Sequence, residues 1–385
     1  MIRSLYLHIP FCERKCEYCD FASVAGRRGE AAYIEALRWE IRELAERLPG
    51  VELDTVFLGG GTPGLIEPAR LAAILAEVRS GFALAPGAEV TIEANPSSTS
   101  APRAAAWREA GCTRVSLGVQ SLEPDVLRFL GRVHDAGRAL AAVAEVRAGG
   151  FERVSCDLIY AVPGLDDDRW AATVERVLDL DPGHLSCYEL TVEEGTPLHR
   201  SVRRGAVRVV DAETALRQHW LAVDLAGAAG YRQYEVSNLA RPGLECRHNL
   251  AYWGNHQYLA AGVGAHGHLP PAAGAALGLA DAAGDAVALR YWHVRSPDRF
   301  TALAAEGRLP IEGCELVGAA AHEAERVMVG LRLARGVTVE EEGTRREAEA
   351  LAASGLLDWD GRTARATRRG QEVLNALVER LVGAR

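Results

Sequence analysis

Six short apolar or β-branched runs, Ser4 to Ile9, Thr55 to Leu58, Glu89 to Glu93, Arg114 to Gln120, Arg153 to Ile159 and His184 to Leu190, alternate with helical stretches at fairly even spacing. Such alternation is the signature of βα units joined in series, which lay their strands side by side in a parallel sheet. The clearest intervening helix runs from Ala31 to Leu48, where Ile34, Leu37, Ile41 and Leu44 recur at helical intervals. Six units predict an α/β fold, a partial (β/α)6 TIM-type barrel over 1–235, with chemistry gathered at the C-terminal ends of the strands. A connecting region is expected over 236–300 and a smaller α+β, winged-helix-like domain over 301–385. Within them, Tyr234 to His268 reads as loop-like. The Ala/Gly-rich piece at 272–287 reads as a surface excursion, because Pro270-Pro271 and repeated Ala-Gly are weak core material.

A chain of 385 residues that is 48% hydrophobic and 25% charged can bury a sizeable core. Its net charge of -9 argues against nucleic-acid binding through a broad basic surface. The C-terminal unit, with Thr367-Arg-Arg-Gly-Gln371, invites a DNA reading, but no basic recognition helix accompanies it and a packing or partner-contact role is favoured. No run of some 18 apolar residues marks a membrane span, so a cytoplasmic location with reduced thiols is expected, with peripheral membrane contact left open. Cys112, Cys156, Cys187, Cys246 and Cys314 are scattered among apolar neighbours, where cysteine is most often a small core residue.

Cys12, Cys16 and Cys19 are different, because they crowd onto one loop directly after the first strand. Three thiolates can hold three irons of a four-iron cluster and leave the fourth iron open to bind and reduce a ligand, for which this spacing points to S-adenosylmethionine (SAM). Zinc with a fourth ligand is the competing reading. Structural zinc usually takes paired knuckles, however, and no second knuckle follows at suitable spacing. A disulfide reading fails, since nothing suggests secretion.

The other motifs sit at or just beyond the ends of the next four strands: Gly59-Gly-Gly-Thr62-Pro63, Glu93-Ala-Asn95-Pro96, Gln120-Ser121 and Asp157-Leu-Ile-Tyr160. Glycines there let backbone approach a ligand closely, so Gly59, Gly60 and Gly61 would meet the amino end of SAM; a tight turn without a ligand is the plainer alternative. Glu93 is suited to the ligand's ammonium or ribose hydroxyls, or is simply a strand-end carboxylate. Arg132 is suited to bidentate pairing with a carboxylate.

Taken together, Tyr6-x-His8-Ile-Pro-Phe-Cys12-x3-Cys16-x-Tyr18-Cys19, the Gly59 run, Gly118-Val-Gln120-Ser121, Leu130-Gly-Arg132-x-His134 and Asp157-Leu-Ile-Tyr160 resemble the radical SAM proteins of the oxygen-independent coproporphyrinogen oxidase family. The resemblance implies a [4Fe-4S] cluster on Cys12, Cys16 and Cys19. It implies contacts to the cluster-bound SAM from Tyr6, Gly60 and Glu93, with Tyr18 beside them. The residues matching Gly61, Thr62, Gln120, Arg132 and Asp157 line a second SAM site in the true oxidase. Two departures point to a sister group, the haem chaperones. The oxidase pattern has a further Cys where this chain has Phe21, and it carries an N-terminal extension before the first strand. Cys246-Arg-His248-Asn249-x-x-Tyr252-Trp253 resembles the hallmark of that group and implies haem binding.

An imidazole can ligate haem iron, and Tyr252 and Trp253 offer flat faces to a porphyrin. Against this stands a reading in which His248 and Asn249 hydrogen-bond a loop over the barrel mouth. Cys246 is a secondary ligand candidate, while His266 and His268 in their Gly-rich turn are read as structural. Three functions follow: a haem chaperone delivering haem to an acceptor haemoprotein, of a respiratory chain by expectation; a coproporphyrinogen III oxidase acting through a 5′-deoxyadenosyl radical; or a radical enzyme for an unrelated substrate.

Overall fold

The computed structural model of the chain describes residues 1–280 and 285–384. Its centre is one sheet whose parallel strands are β1 (Ser4–Ile9), β2 (Glu52–Gly60), β3 (Ala83–Ala94), β4 (Arg114–Gln120), β5 (Arg153–Tyr160) and β6 (Gly183–Glu189), neighbours in that order. The expected barrel strands are all present. Their connections include α1 (Glu30–Arg47), α2 (Pro68–Gly81), α3 (Ala101–Glu109), α4 (Ala136–Ala148) and α5 (Asp167–Leu178). The amphipathic pattern of the first helix does what its spacing implies, since Ile34, Leu37, Ile41 and Leu44 are all buried. Asp135 and Asp166 begin two of these helices by accepting the amide three residues on, which satisfies an otherwise orphaned donor.

After β6 come α6 (Ala212–Ala228), β7 (Arg232–Glu235) and β8 (Asn238–Ala240). β8 runs antiparallel to β6 and closes that edge of the sheet with β7 outside it. The stretch from Tyr234 to His268 is therefore not a loop. It holds the end of β7, β8, the helix α7 (Arg247–Trp253), β9 (Tyr258–Ala261) and most of β10 (His266–Leu269). These strands are only three or four residues long, too short to show a period in sequence. β9 lies parallel to β1 on its free side as a seventh parallel strand, and β10, β11 (Ala286–His293) and β12 (Ile311–Gly318) continue the sheet as an antiparallel meander. The Ala/Gly-rich piece likewise carries core. Ala273, Gly274 and Leu277 are buried, and a Cβ at Gly274 would stand 2.5 Å from Leu289 of β11. Residues 281–284 of that piece lie outside the described residues.

The C-terminal segment builds a second core. Helices α8 (Ala319–Gly330), α9 (Glu342–Ala353) and α10 (Leu374–Gly383) pack with a three-stranded antiparallel sheet of Val337–Thr338, Leu357–Trp359 and Thr363–Ala366 around Val327, Leu331, Leu351, Ala364, Leu377 and Leu381. Residues 311–318, expected in this unit, instead form β12 of the main sheet, and the second core is drawn from α8 onward. Among the described residues, no helix is long and apolar enough to cross a membrane.

Candidate functional site

The loop after β1 is held at both ends. Phe11–Cys12 pairs with Val24–Ala25, the amide of Gly26 donates to the carbonyl of Cys12 at 2.7 Å, and the His8 ring meets the carbonyl of Ala22 at 3.0 Å. Between these ties Cys12, Cys16 and Cys19 stand half-exposed as free thiols. All three line one cavity of about 440 Å³, a size typical of small-molecule sites. Thr62 Oγ1 lies 3.7 Å from Cys12 Sγ and Arg132 Nη1 lies 3.4 Å from Cys16 Sγ. Burial pushes the Cys12 and Cys19 thiols up. The fourth cysteine of the cavity wall, Cys246, sits elsewhere: its thiol bonds Glu89 at 3.6 Å. Three thiols from one loop, with a cation beside one of them, fit a cluster held by three cysteines.

The ends of the parallel strands face these thiols. Glu93 ends β3 with Oε2 accepting the amide of Gly60 at 3.0 Å, and burial, with Asp157 opposite, pushes its carboxyl up to about 8. Asp157 on β5 is likewise raised by burial, although Ser186, Ser116 and Ser155 bond it and Arg132 is near. Arg132 donates to Asn95 Oδ1 at 2.5 Å and to the carbonyl of Gly118 at 2.8 Å, and its Nε is buried without a partner. Gln120 ends β4 with φ of 65°, an uncommon conformation for a residue with a side chain and one that recurs at ligand sites. Tyr18, Gly60, Gly61, Thr62, Glu93, Gln120, Arg132 and Asp157 all line the cavity.

Tyr6 is not part of the lining: it stacks on Phe57 at 6.2 Å between ring centres, and its hydroxyl bonds the His8 ring at 3.1 Å. The glycines answer first to the protein. A Cβ at Gly60, where φ is +106°, would lie 2.4 Å from the His8 ring, and one at Gly61 would lie 2.6 Å from the Pro10 backbone. The tight turn and the ligand reading thus coincide at the same residues.

The Cys246-to-Trp253 segment lies at the other end of the barrel. Glu89, midway along β3 but level through Thr55 with Ser4 at the start of β1, accepts the amides of Arg247 at 2.9 Å and His248 at 3.3 Å, and pairs with the buried Arg114 at 3.1 Å. Four residues along β3 separate Glu89 from Glu93, roughly 13 Å of strand. α7 is therefore a plug in the floor of the cavity and not a loop over its mouth. His248 is buried and both its nitrogens are engaged, Nδ1 with Thr55 Oγ1 at 2.7 Å and Nε2 with the Tyr252 hydroxyl at 2.9 Å. Burial lowers its pKa to about 3. As placed, His248 is a hydrogen-bonding residue of the floor and offers no free nitrogen to iron. Cys246 offers no thiolate either, with burial pushing its thiol up to about 12. Tyr252 lines the cavity, but Trp253 does not; the guanidinium of Arg332 lies 6.0 Å from its ring centre. His266 and His268 fall on β10.

Sequence reasoning missed most of the polar interior: Thr91, Ser116, Ser155, His184 and Ser186 line the same cavity. Their signal was present. With Glu93, Gly118 and Asp157 they fall at alternate positions of strands otherwise built of Val, Ile, Leu and Cys, so each polar side chain points inward.

A model of the radical SAM superfamily matches residues 6–177. A curated relative from Mycobacterium tuberculosis, heme chaperone HemW, is 42% identical over 98% of this chain and 94% of its own. Heme chaperone HemW of Escherichia coli is 37% identical over 69% of each chain. Among solved structures, coproporphyrinogen III oxidase (HemN) of Escherichia coli, a radical SAM enzyme, covers 99% of this chain and 90% of its own with a TM-score of 0.81; at 21% identity that likeness shows the fold. Radical SAM membership brings with it a [4Fe-4S] cluster and SAM, which the three thiols and the strand-end residues suit. The chain belongs to the radical SAM superfamily and, within it, to the HemW family.

Proposed function

We propose that the protein binds haem and passes it to an acceptor haemoprotein, with a SAM-bound cluster at the barrel mouth governing the transfer. Cys12, Cys16 and Cys19 hold the cluster in this reading. Gly60, Glu93 and Tyr18 surround the cluster-bound SAM, with Tyr6 supporting them from behind, while Gly61, Thr62, Gln120, Arg132 and Asp157 complete the wall. When bound, the cluster supplies an open iron and an electron. Glu93, held protonated by burial and by Asp157, becomes a carboxylate when a cationic ammonium reaches it. Arg132, with Nε unpartnered, has a donor left for a ligand carboxylate.

The observation that carries the reading is 42% identity to a heme chaperone along 98% of the chain, against 21% to the oxidase of the same fold. Phe21 supports it, standing 56% exposed beside the thiols where the oxidase pattern has a further Cys. The acceptor is read as a haemoprotein of a respiratory chain and the setting as the cytoplasm.

The test is anaerobic. The cluster is reconstituted, and the protein is incubated separately with haem and with coproporphyrinogen III, each with SAM and a reductant. Stable haem absorption with no protoporphyrinogen supports the reading; protoporphyrinogen formed with consumption of SAM would sink it. Replacing Cys12, Cys16 or Cys19 by Ala is expected to remove the cluster's visible absorption, and unchanged iron content would refute the ligand assignment.

A further inference from the structure

A row of polar side chains runs along the cavity wall from the strand ends to the floor. Asp157, on β5, accepts Ser116 Oγ at 3.0 Å and Ser155 Oγ at 3.3 Å. Ser155 Oγ lies 2.7 Å from His184 Nδ1, His184 Nε2 lies 2.9 Å from the Tyr234 hydroxyl, and that hydroxyl lies 3.3 Å from Asn249 Nδ2 in α7. The row therefore starts at a carboxylate that faces Arg132 and Glu93, and it ends in the segment that resembles the haem motif. Its three middle members, Ser155, His184 and Tyr234, are buried, where a hydrogen without an acceptor is costly.

The direction of each bond follows from the far end. Asn249 Nδ2 also donates to Glu235 Oε1 at 3.2 Å, an oxygen that Asn238 Nδ2 shares, so the amide nitrogen faces this side and the Tyr234 oxygen accepts from it. The one hydrogen of Tyr234 is then available to His184 Nε2. Burial keeps the His184 ring neutral, so with Nε2 accepting, Nδ1 carries the hydrogen and gives it to Ser155 Oγ. Ser155 in turn has its hydrogen for Asp157. Every hydrogen in the row points toward the carboxylate.

The opposite sense is well formed at the top of the row and fails at the bottom. When donors of a ligand take the Asp157 oxygens, the Ser155 hydrogen turns to His184 Nδ1, the nearer of its two acceptors. The ring hydrogen then sits on Nε2, with no proton gained or lost by the imidazole, and faces the Tyr234 oxygen. The Tyr234 hydrogen is turned out of the row toward Asn249 Nδ2, where it meets another donor. We propose that this row couples the two ends of the barrel: a ligand whose donors occupy Asp157 reverses the sense of the row and loosens α7 at Asn249. The proposal rests on the reading that SAM binds at this wall, and it supplies the route by which SAM acts on the floor segment. One element with two discrete arrangements, biased from both of its ends, is what coupling between distant sites requires.

The full chain, with its cluster reconstituted and no reductant present so that SAM stays intact, is compared with and without saturating SAM by hydrogen exchange. SAM is expected to speed exchange in α7 about fivefold or more relative to α1. Tyr234→Phe removes the hydroxyl that joins His184 to Asn249, and Tyr234 lies outside the cavity lining. In this variant SAM affinity by calorimetry is expected to stay within about twofold of wild type while the response of α7 to SAM is lost. A purely structural role for Tyr234 would raise exchange with and without SAM alike and leave the response unchanged, and that result would overturn the coupling. So would a wild-type protein that binds SAM with no response in α7. Absence of SAM binding by the wild-type protein would instead overturn the reading of the wall, and the coupling with it. If Tyr234→Phe loses its cluster absorption and so has not folded, Ser155→Ala, which cuts the row nearer the mouth, decides: a lost response supports the row, and a response of wild-type size refutes it.

Discussion

Replacing Glu89 by Gln keeps the shape of the side chain and removes one charge from a crowded place. Glu89 sits beneath the cavity, 1% exposed, where it pairs with Arg114, also 1% exposed, and caps the first amides of α7. Glutamine has one carbonyl oxygen for the two sides: with it left on the α7 amides, Arg114 keeps only the carbonyls of Leu244 and Glu245, at 2.5 and 3.0 Å, as acceptors for a buried positive charge, and its Nη1 already has none. Removing one partner of a buried pair costs about 3–5 kcal/mol, because the other charge stays in a poorly solvated place. A second, local loss follows at the helix N-terminus, where a neutral amide replaces a carboxylate that accepted two backbone amides, worth about 1 kcal/mol. Glu89→Gln is therefore expected to lower unfolding stability in urea by about 3–5 kcal/mol and to speed hydrogen exchange at the Arg247 and His248 amides more than in α1. Combining it with Arg114→Met removes the stranded charge and recovers at least half of the loss. A single-variant loss under about 1 kcal/mol, with exchange at those two amides unchanged, would refute the view that this pair holds α7 in the floor.

The remaining predictions test other levels of the structure. Gly60→Ala sets a Cβ 2.4 Å from the His8 ring at φ of +106°. It is expected to cost about 2–4 kcal/mol and to lower the cluster iron retained after reconstitution, since His8 also holds the carbonyl of Ala22 in the cysteine loop. Glu93, raised from 4.5 to about 8 in the folded, ligand-free protein, contributes stability that is present below pH 4.5 and lost as the pH rises through 8. Unfolding midpoints of Glu93→Gln should therefore gain on the wild type between pH 4.5 and about 8 and hold a constant difference above that window; a difference that does not change with pH would contradict the raised value. Leu351→Ala in the C-terminal core, where Leu351 is fully buried, is expected to cost about 2–5 kcal/mol while the cluster absorption of the folded protein stays as in wild type. Loss of that absorption in the native baseline would show that the two cores are not separable.

What the chain disclosed in advance divides along a physical line. Elements long enough to repeat a pattern were legible: α1 shows four apolar returns, and strands β2 to β5 each carry a Gly, Glu, Gln or Asp motif that the sequence alone places at the mouth. The cysteine loop was legible because its chemistry lies in spacing alone. The strands from Asn238 to Leu269 were hidden because each has three or four residues and takes its hydrogen bonds from partners far away in sequence, as β9 does from β1 across more than 200 residues.

His248 shows the limit of motif reading. The residue types of the Cys246-to-Trp253 segment suit haem, yet whether an imidazole can bind iron depends on what its two nitrogens already hold, and their partners come from Thr55 on β2 and Tyr252 one turn along. His268, read as structural, is buried with Nδ1 3.2 Å from the carbonyl of His256. What the fold shows of the Cys246-to-Trp253 segment is its seating: Glu89 holds the first amides of α7, Thr55 and Tyr252 hold the two nitrogens of His248, and Tyr252 stands in the wall of the cluster cavity.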